Sequence, residues 1–135
     1  MLVINDEEAQ LLTGEDNPYR AGPALRKMGP SIVVIKQGAH GALLFHLAGH
    51  FVVPAYPIEK LVDPTGAGDS FAGGFFGYLA SQKELSPSAF RRAMFYGSVM
   101  GSFACEQFGT ERLQMLTRAD IDGRFQQFRE ITHLD

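Results

Sequence analysis

Cysteine is nearly absent. The 135 residues contain one, Cys105, so no internal disulfide forms, which fits a reducing compartment such as the cytoplasm. An excess of charge of one sign is also lacking. The formal net charge of −3 offers no basic field to draw nucleic acid or an anionic membrane surface, and both partner classes are set aside. Long apolar runs are missing too. None approaches the roughly 20 residues that a transmembrane helix needs, and Met1 is not followed by a basic segment and apolar core of the secretory type. What is present is ordinary for a globular chain: 45% hydrophobic and 20% charged residues, in a length that fits one domain and buries roughly two thirds of its unfolded surface.

The opening "MLVIN" is an apolar, β-prone run of the kind found in strands covered on both faces. Such a strand needs neighbours on each side and nothing precedes it. Residues 1–135 therefore read as the C-terminal part of a longer design, with a bare sheet edge that would seek self-association or the absent N-terminal half. A strand is expected at 2–4, a helix from Asn5 to about Leu12 ending at Gly14, and a second helix over 19–28 stopped by Gly29 and Pro30. "SIVVIK" (31–36) is rich in β-branched residues and reads as a buried strand, "QGAHG" as a turn, and "ALLFH" with "HFVVPAY" as a meander. Pro54 and Pro57 break regularity before a Gly-rich loop, after which helices are expected over 69–82, 86–108 and 117–133. Ser86 with Pro87 forms a helix start, and Thr117 with Asp120 has the spacing of a capping box. Strands mixed with helices in this order predict an α/β fold, a mostly parallel sheet flanked by helices with an antiparallel portion.

Glycine is concentrated in one place. Of 15 glycines, Gly66, Gly68, Gly73, Gly74 and Gly77 fall in or just after "DPTGAGDSFAGGF", although glycine inside a helix costs roughly 0.5–1 kcal/mol relative to alanine. Gly66, Ala67 and Gly68 stand directly before Asp69 and Ser70 at the start of a helix. Helix N-termini leave about four backbone N–H groups unpaired and carry positive partial charge, so they hold anions, here a phosphate or a phosphoryl group in transfer. The plainer alternative makes Asp69 an N-cap and the glycines a turn. Better-known loops fail on particular residues. Gly74 stands where a Walker loop needs lysine, Phe71 where G-x-G-x-x-G needs its last glycine, and Ala72 where G-x-S-x-G needs its second.

Along the same helix Ser70, Gly73, Gly74, Gly77 and Ser81 form a stripe of small side chains, while Phe71, Phe75 and Tyr78 form a bulky core face. The next helix carries a matching small stripe at Ala93, Gly97, Gly101 and Ala104. Either a neighbouring helix or a ligand approaches the backbone there, and close helix packing accounts for most of it. His40, His46, His50 and His133 lack metal-ligand spacing, and Cys105 reads as a small buried hydrophobe.

"DPTGAGDSFAGGF" resembles the second signature of the PfkB, or ribokinase-like, family of carbohydrate kinases, written D-T-x-G-A-G-D. Pro64 stands where many members have threonine, and Thr65, Gly66, Ala67, Gly68 and Asp69 are intact. The resemblance runs from about residue 2 to beyond residue 110. "NDEE" places Asn5 and Glu8 as the family's N-x-x-E, which also reads as a capping pair. "KQGAHG" places Lys36, Gly38 and Gly41 as its K-x-G-x-x-G turn, which also reads as a hairpin turn.

The resemblance implies transfer of the γ-phosphoryl of ATP to a hydroxyl of a sugar-like acceptor. Asp69 would be the general base, and the amides of Gly66, Ala67 and Gly68 the anion hole. Lys36, Gly38, Gly41, Gly66 and Gly68 would bind the nucleotide, Asn5 and Glu8 would hold Mg2+ through its water shell, and Asp63 with Thr65 a monovalent cation such as K+. The adenine would lie between the Gly-rich helix and residues 98–104, near the "EQFGTE" loop. Since the family's acceptor-recognising residues come mostly from its N-terminal half, residues 1–135 alone are expected to bind ATP or ADP weakly and to leave a sugar unphosphorylated. A nucleoside kinase of the same family and a non-catalytic nucleotide-binding or assembly module are the alternatives.

Overall fold

The computed structural model describes residues 1–106 and 111–134. The chain divides into two compact units, Met1–Ala55 and Tyr56–Asp135.

The first unit is built on a four-stranded sheet in the order β1 (Leu2–Asn5), β2 (Val33–Lys36), β3 (Ala42–His46), β4 (Gly49–Val53). Two helices, α1 (Asp6–Thr13) and α2 (Pro18–Lys27), lie between β1 and β2 in sequence. Each begins at an asparagine whose side chain accepts an otherwise unpaired amide: Asn5 from Glu8 and Asn17 from Tyr19. Gly14 closes α1 in the left-handed region at φ 76°, its amide bonded to the Gln10 carbonyl. Ile4, Ala9, Ala21, Leu25, Val33, Ile35, Leu43 and Phe45 form one core between helices and sheet, where full burial of each large apolar side chain contributes about 1.5–3 kcal/mol. The alternate residues Val34, Leu44 and Val53 are buried as well.

The expectation of a mostly parallel sheet needs correction. Only β1 and β2 run parallel; β2–β3 and β3–β4 are antiparallel. Parallel strands need a crossover of a dozen or more residues, which α1 and α2 supply. The connections 37–41 and 47–48 are too short for one and turn the chain straight back. The α/β class stands, with a mixed sheet.

The second unit is helical: α3 (Ala67–Ala80), α4 (Pro87–Cys105), α5 (Glu111–Met115) and α6 (Arg118–Thr132). Ser86 caps α4 and Pro87 takes its first position, while Thr117 and Asp120 form a reciprocal capping box at α6. Phe71, Phe75 and Leu79 are the buried face of α3. Phe95 meets Phe125 and Phe128 across α4 and α6, and the Tyr96 ring stacks between Tyr78 and Phe125. The small stripe of α4 is a helix seam that α3 enters at Gly74, whereas Gly73, Gly77 and Ser81 of the α3 stripe are exposed, against the expectation that helix packing accounts for most of both. A Cβ at Gly74 would lie 2.6 Å from the Tyr96 carbonyl oxygen, one at Gly97 would lie 3.0 Å from the Phe71 ring, and one at Gly101 would lie 3.3 Å from the Ala67 carbonyl oxygen. α4 ends at Cys105, three residues short of the expected boundary, and α5 was not expected at all.

Candidate functional site

In the first unit the expected residues gather at the carboxyl edge of the parallel pair. Asn5 ends β1, Lys36 ends β2, and the two are register partners. Open α/β sheets place ligands outside this edge. Asn5 and Glu8 bond reciprocally: Asn5 Oδ1 accepts from the Glu8 amide at 2.7 Å, and Asn5 Nδ2 donates to Glu8 Oε1 at 2.8 Å. The capping reading is therefore real, and it also holds an exposed carboxylate in one orientation. The turn after Lys36 is tied by Gln37 N–H to the Gly41 carbonyl at 2.8 Å and by Gly41 N–H to the Gly38 carbonyl at 3.2 Å. Gly38 sits at φ 58° and Gly41 at φ 89°. At Gly41 a Cβ would overlap the Val53 carbonyl oxygen and lie 2.9 Å from Pro54 Cα. Only glycine satisfies both demands there.

In the second unit α3 starts two residues earlier than expected, which puts Asp69 at its third position and makes Gly66 the N-cap. Gly66 takes φ 84° and has no side chain to reach back to the helix amides. Ser70 N–H closes the first helical bond onto the Gly66 carbonyl at 2.9 Å. Ala67 N–H donates to the Pro64 carbonyl at 3.1 Å, so the expected trio of anion-hole amides loses that member to a turn that sets up the helix. Among the described residues the amides of Gly66 and Asp69 donate to no protein group, and the exposed Asp69 carboxylate accepts from none. Gly68 lies half-buried in the first turn. A carboxylate in the first turn of a helix, beside unpaired amides, faces the positive end of the dipole.

Asp63 and Thr65 precede this start. Asp63 Oδ1 accepts from the Thr65 amide at 3.0 Å, and the Thr65 amide and hydroxyl together hold the Asp63 carboxyl below its ordinary range. The Val62 and Asp63 amides both donate to the Cys105 carbonyl, at 2.9 and 3.3 Å. Burial pushes the Cys105 thiol up, and the Asp63 and Glu106 carboxylates add to it, consistent with an inert side chain. Among the described residues no group of three His, Cys, Asp or Glu side chains is arranged to hold a metal ion, so any cation here relies on water, backbone oxygens or a ligand. Of the expected adenine pocket, the seam from α3 to Gly97 and Gly101 is closed by direct packing, and residues 107–110 of the loop lie outside the described residues.

One cluster went unseen in the sequence. Arg124 of α6 pairs with Glu106, donates from Nη1 to Ser102 Oγ at 2.9 Å, and lays its guanidinium over the rings of Phe103 at 3.7 Å and Tyr56 at 4.9 Å. Its one local signal is its place beside Phe125 and Phe128 on the apolar edge of α6.

Residues 1–117 match the family described as pfkB family carbohydrate kinase. The chain is 45% identical over 74 residues to a cytidine kinase of Thermococcus kodakarensis, covering 53% of this chain and 26% of that protein. It is 43% identical over 90 residues to a ribokinase of Mus musculus, covering 61% and 27%. It thus spans little more than a quarter of the length of either relative. Its fold is similar to that of a double mutant of fructokinase from Vibrio cholerae O395 in a fructose-, ADP- and potassium-bound form, with TM-score 0.81 at 26% identity over 92% of this chain and 40% of that one. With the Gly66 to Asp69 helix start in place and the family match running through it, the chain belongs to the pfkB family of carbohydrate kinases.

Proposed function

We propose that this chain carries the nucleotide-handling and catalytic portion of a kinase that transfers the γ-phosphoryl of ATP to a hydroxyl of a sugar-like acceptor. The observation that carries the reading is the start of α3: an uncapped helix opening on Gly66, whose Gly66 and Asp69 amides donate to no protein group among the described residues, with the Asp69 carboxylate in its first turn. In this reading the acceptor O–H gives its proton to Asp69 while its oxygen attacks the γ-phosphorus. The bond from phosphorus to the β,γ-bridging oxygen breaks, and ADP leaves. Charge on the transferring group is met by the helix-start amides, each donor being worth about 10²–10³ in rate at such sites. The turn carrying Lys36, Gly38 and Gly41 contacts nucleotide phosphates.

The donor sets suit hard cations. Glu8, exposed and oriented by Asn5, would hold Mg2+ through water; Asp63, kept anionic by Thr65, would take a monovalent cation such as potassium. When bound, these ions neutralise phosphate charge. A nucleoside acceptor is the second reading, favoured by the similarity to a cytidine kinase. Because the chain spans so small a share of its relatives, acceptor choice rests on residues outside it, and the outer edge of β1 is the place where a further strand, from a longer chain or a second copy, would pair. The single cysteine fits a cytoplasmic setting.

The test is Asp69→Asn in the complete gene product, assayed for ADP release against a panel of sugars and nucleosides, with ATP affinity measured by calorimetry. Transfer is expected to fall by about 10²–10⁴-fold, the usual worth of general-base catalysis, with ATP affinity nearly unchanged. Transfer that survives the substitution removes the base assignment. ATP binding with no transfer to any acceptor in the unsubstituted protein supports the non-catalytic module instead.

A further inference from the structure

We propose that Arg124 is a positioning residue for the helix start at Gly66 to Asp69, acting through the last turn of α4; this rests on the kinase reading above. The Arg124 side chain is 17% exposed, and its contacts converge. Ser102, Phe103 and Glu106, all at the end of α4, are held by its hydrogen bond, its stacking and its ion pair. Tyr56, where the coil toward the Gly-rich loop begins, has its ring 4.9 Å from the same guanidinium. A planar fork that stacks and pairs at once is a role that lysine does not fill.

The end of α4 is in turn what holds the loop. A helix C-terminus leaves its last carbonyls without helical partners, and the Cys105 carbonyl uses that vacancy to take both the Val62 and Asp63 amides. From there the contacts run on without a gap: Asp63 Oδ1 to the Thr65 amide, then the Pro64 carbonyl to the Ala67 amide, which opens α3. A second support comes from Gly101, one turn before Cys105, where α4 lies against the Ala67 carbonyl. At the start of the coil, the Tyr56 amide donates to Ser98 Oγ of α4 at 3.2 Å. Segment 56–67 is thus fastened to α4 at both ends, and Arg124 grips α4 and Tyr56 together. Asp69 makes no side-chain bond of its own to the described protein, so its position follows the backbone that this chain of contacts sets. Misplacement by about 1 Å at a reacting group costs on the order of 10²-fold in rate.

The test uses Arg124→Met, Arg124→Lys and Asp69→Asn in the complete gene product, with amide hydrogen exchange and steady-state kinetics on each. Arg124→Met is expected to raise exchange at the Val62, Asp63 and Ala67 amides by about 10-fold while mid-helix amides of α3 and α4 keep their protection. Its kcat should fall by about 10–100-fold with the KM for ATP within about 2-fold of wild type. Arg124→Lys, which retains the charge beside Glu106, should recover part of both losses. Unchanged exchange at Val62 and Asp63, or exchange raised equally throughout the unit, overturns the proposal, as does a local rise in exchange with kcat unaltered. Asp69→Asn separates the two readings. Transfer that survives it defeats the kinase assignment whatever Arg124 does, whereas unchanged local exchange in Arg124→Met defeats the relay even where Asp69→Asn abolishes transfer.

Discussion

Gly74→Ala offers a test of the α3–α4 seam in which the sign of the effect decides. Gly74 lies where α4 comes nearest, and a Cβ there would meet the Tyr96 carbonyl oxygen at 2.6 Å and Met100 Cγ at 2.8 Å. The methionine can swing aside; the backbone oxygen moves only if the helices part. Overpacking of this kind costs about 1–3 kcal/mol, while replacing glycine by alanine inside a helix returns about 0.8–1.0 kcal/mol. The expected net loss is therefore about 0–2 kcal/mol. Gly73 and Gly77 lie on the same helix but are exposed, and a Cβ at either meets nothing within 4 Å among the described residues. For them the propensity gain stands alone, and Gly73→Ala and Gly77→Ala should each stabilise by about 0.5–1 kcal/mol. Urea unfolding followed by circular dichroism, suited to a chain without tryptophan, should place Gly74→Ala below Gly73→Ala by about 1–3 kcal/mol with the m-value unchanged. A Gly74→Ala protein as stable as Gly73→Ala would refute the close-approach reasoning.

Gly41→Ala should destabilise the first unit by about 1–3 kcal/mol or more. A non-glycine residue at φ 89°, ψ −147° stores strain of that order, and its Cβ would also overlap the Val53 carbonyl oxygen. An unfolding midpoint equal to wild type would count against it. Asp63 predicts a pH dependence. Its folded-state value is lowered from the usual 3.8 by the Thr65 amide and hydroxyl, so its contribution is present above that usual value and is lost as pH falls through the lowered one. Asp63→Asn should therefore be less stable than wild type at neutral pH, with the gap closing as the solution is acidified below about 4. A gap that stays constant from neutral to acid pH would show that the Thr65 contact does not bind the charged form.

The parts of this fold that were legible are those whose cause is local. Asn5, Ser86 and Thr117 cap the helices that follow them because a short polar side chain reaches an amide two or three residues on, a relation contained in the sequence itself. Gly14 ends α1 by an equally local cause, a left-handed backbone conformation that glycine adopts without steric cost. The Gly-rich start of α3 was legible as a helix N-terminus, yet its cap was misplaced. Asp69 looked like the first residue, and Gly66, by taking a positive φ, began the helix earlier. That shift matters to the site, because it makes Asp69 a first-turn carboxylate instead of a cap.

By itself the sequence determined the helices other than α5, the buried strands, the glycine turns and, through one contiguous motif, the family. Those follow from propensity, spacing and backbone sterics acting over a few residues. Only the tertiary structure decided which small residues form the α3–α4 seam, that the Ala67 amide is used internally, that most of the strand pairings are antiparallel, and that Arg124 reaches across to the end of α4. Those depend on contacts between residues far apart in the chain, where burial and close approach, not local preference, set the outcome.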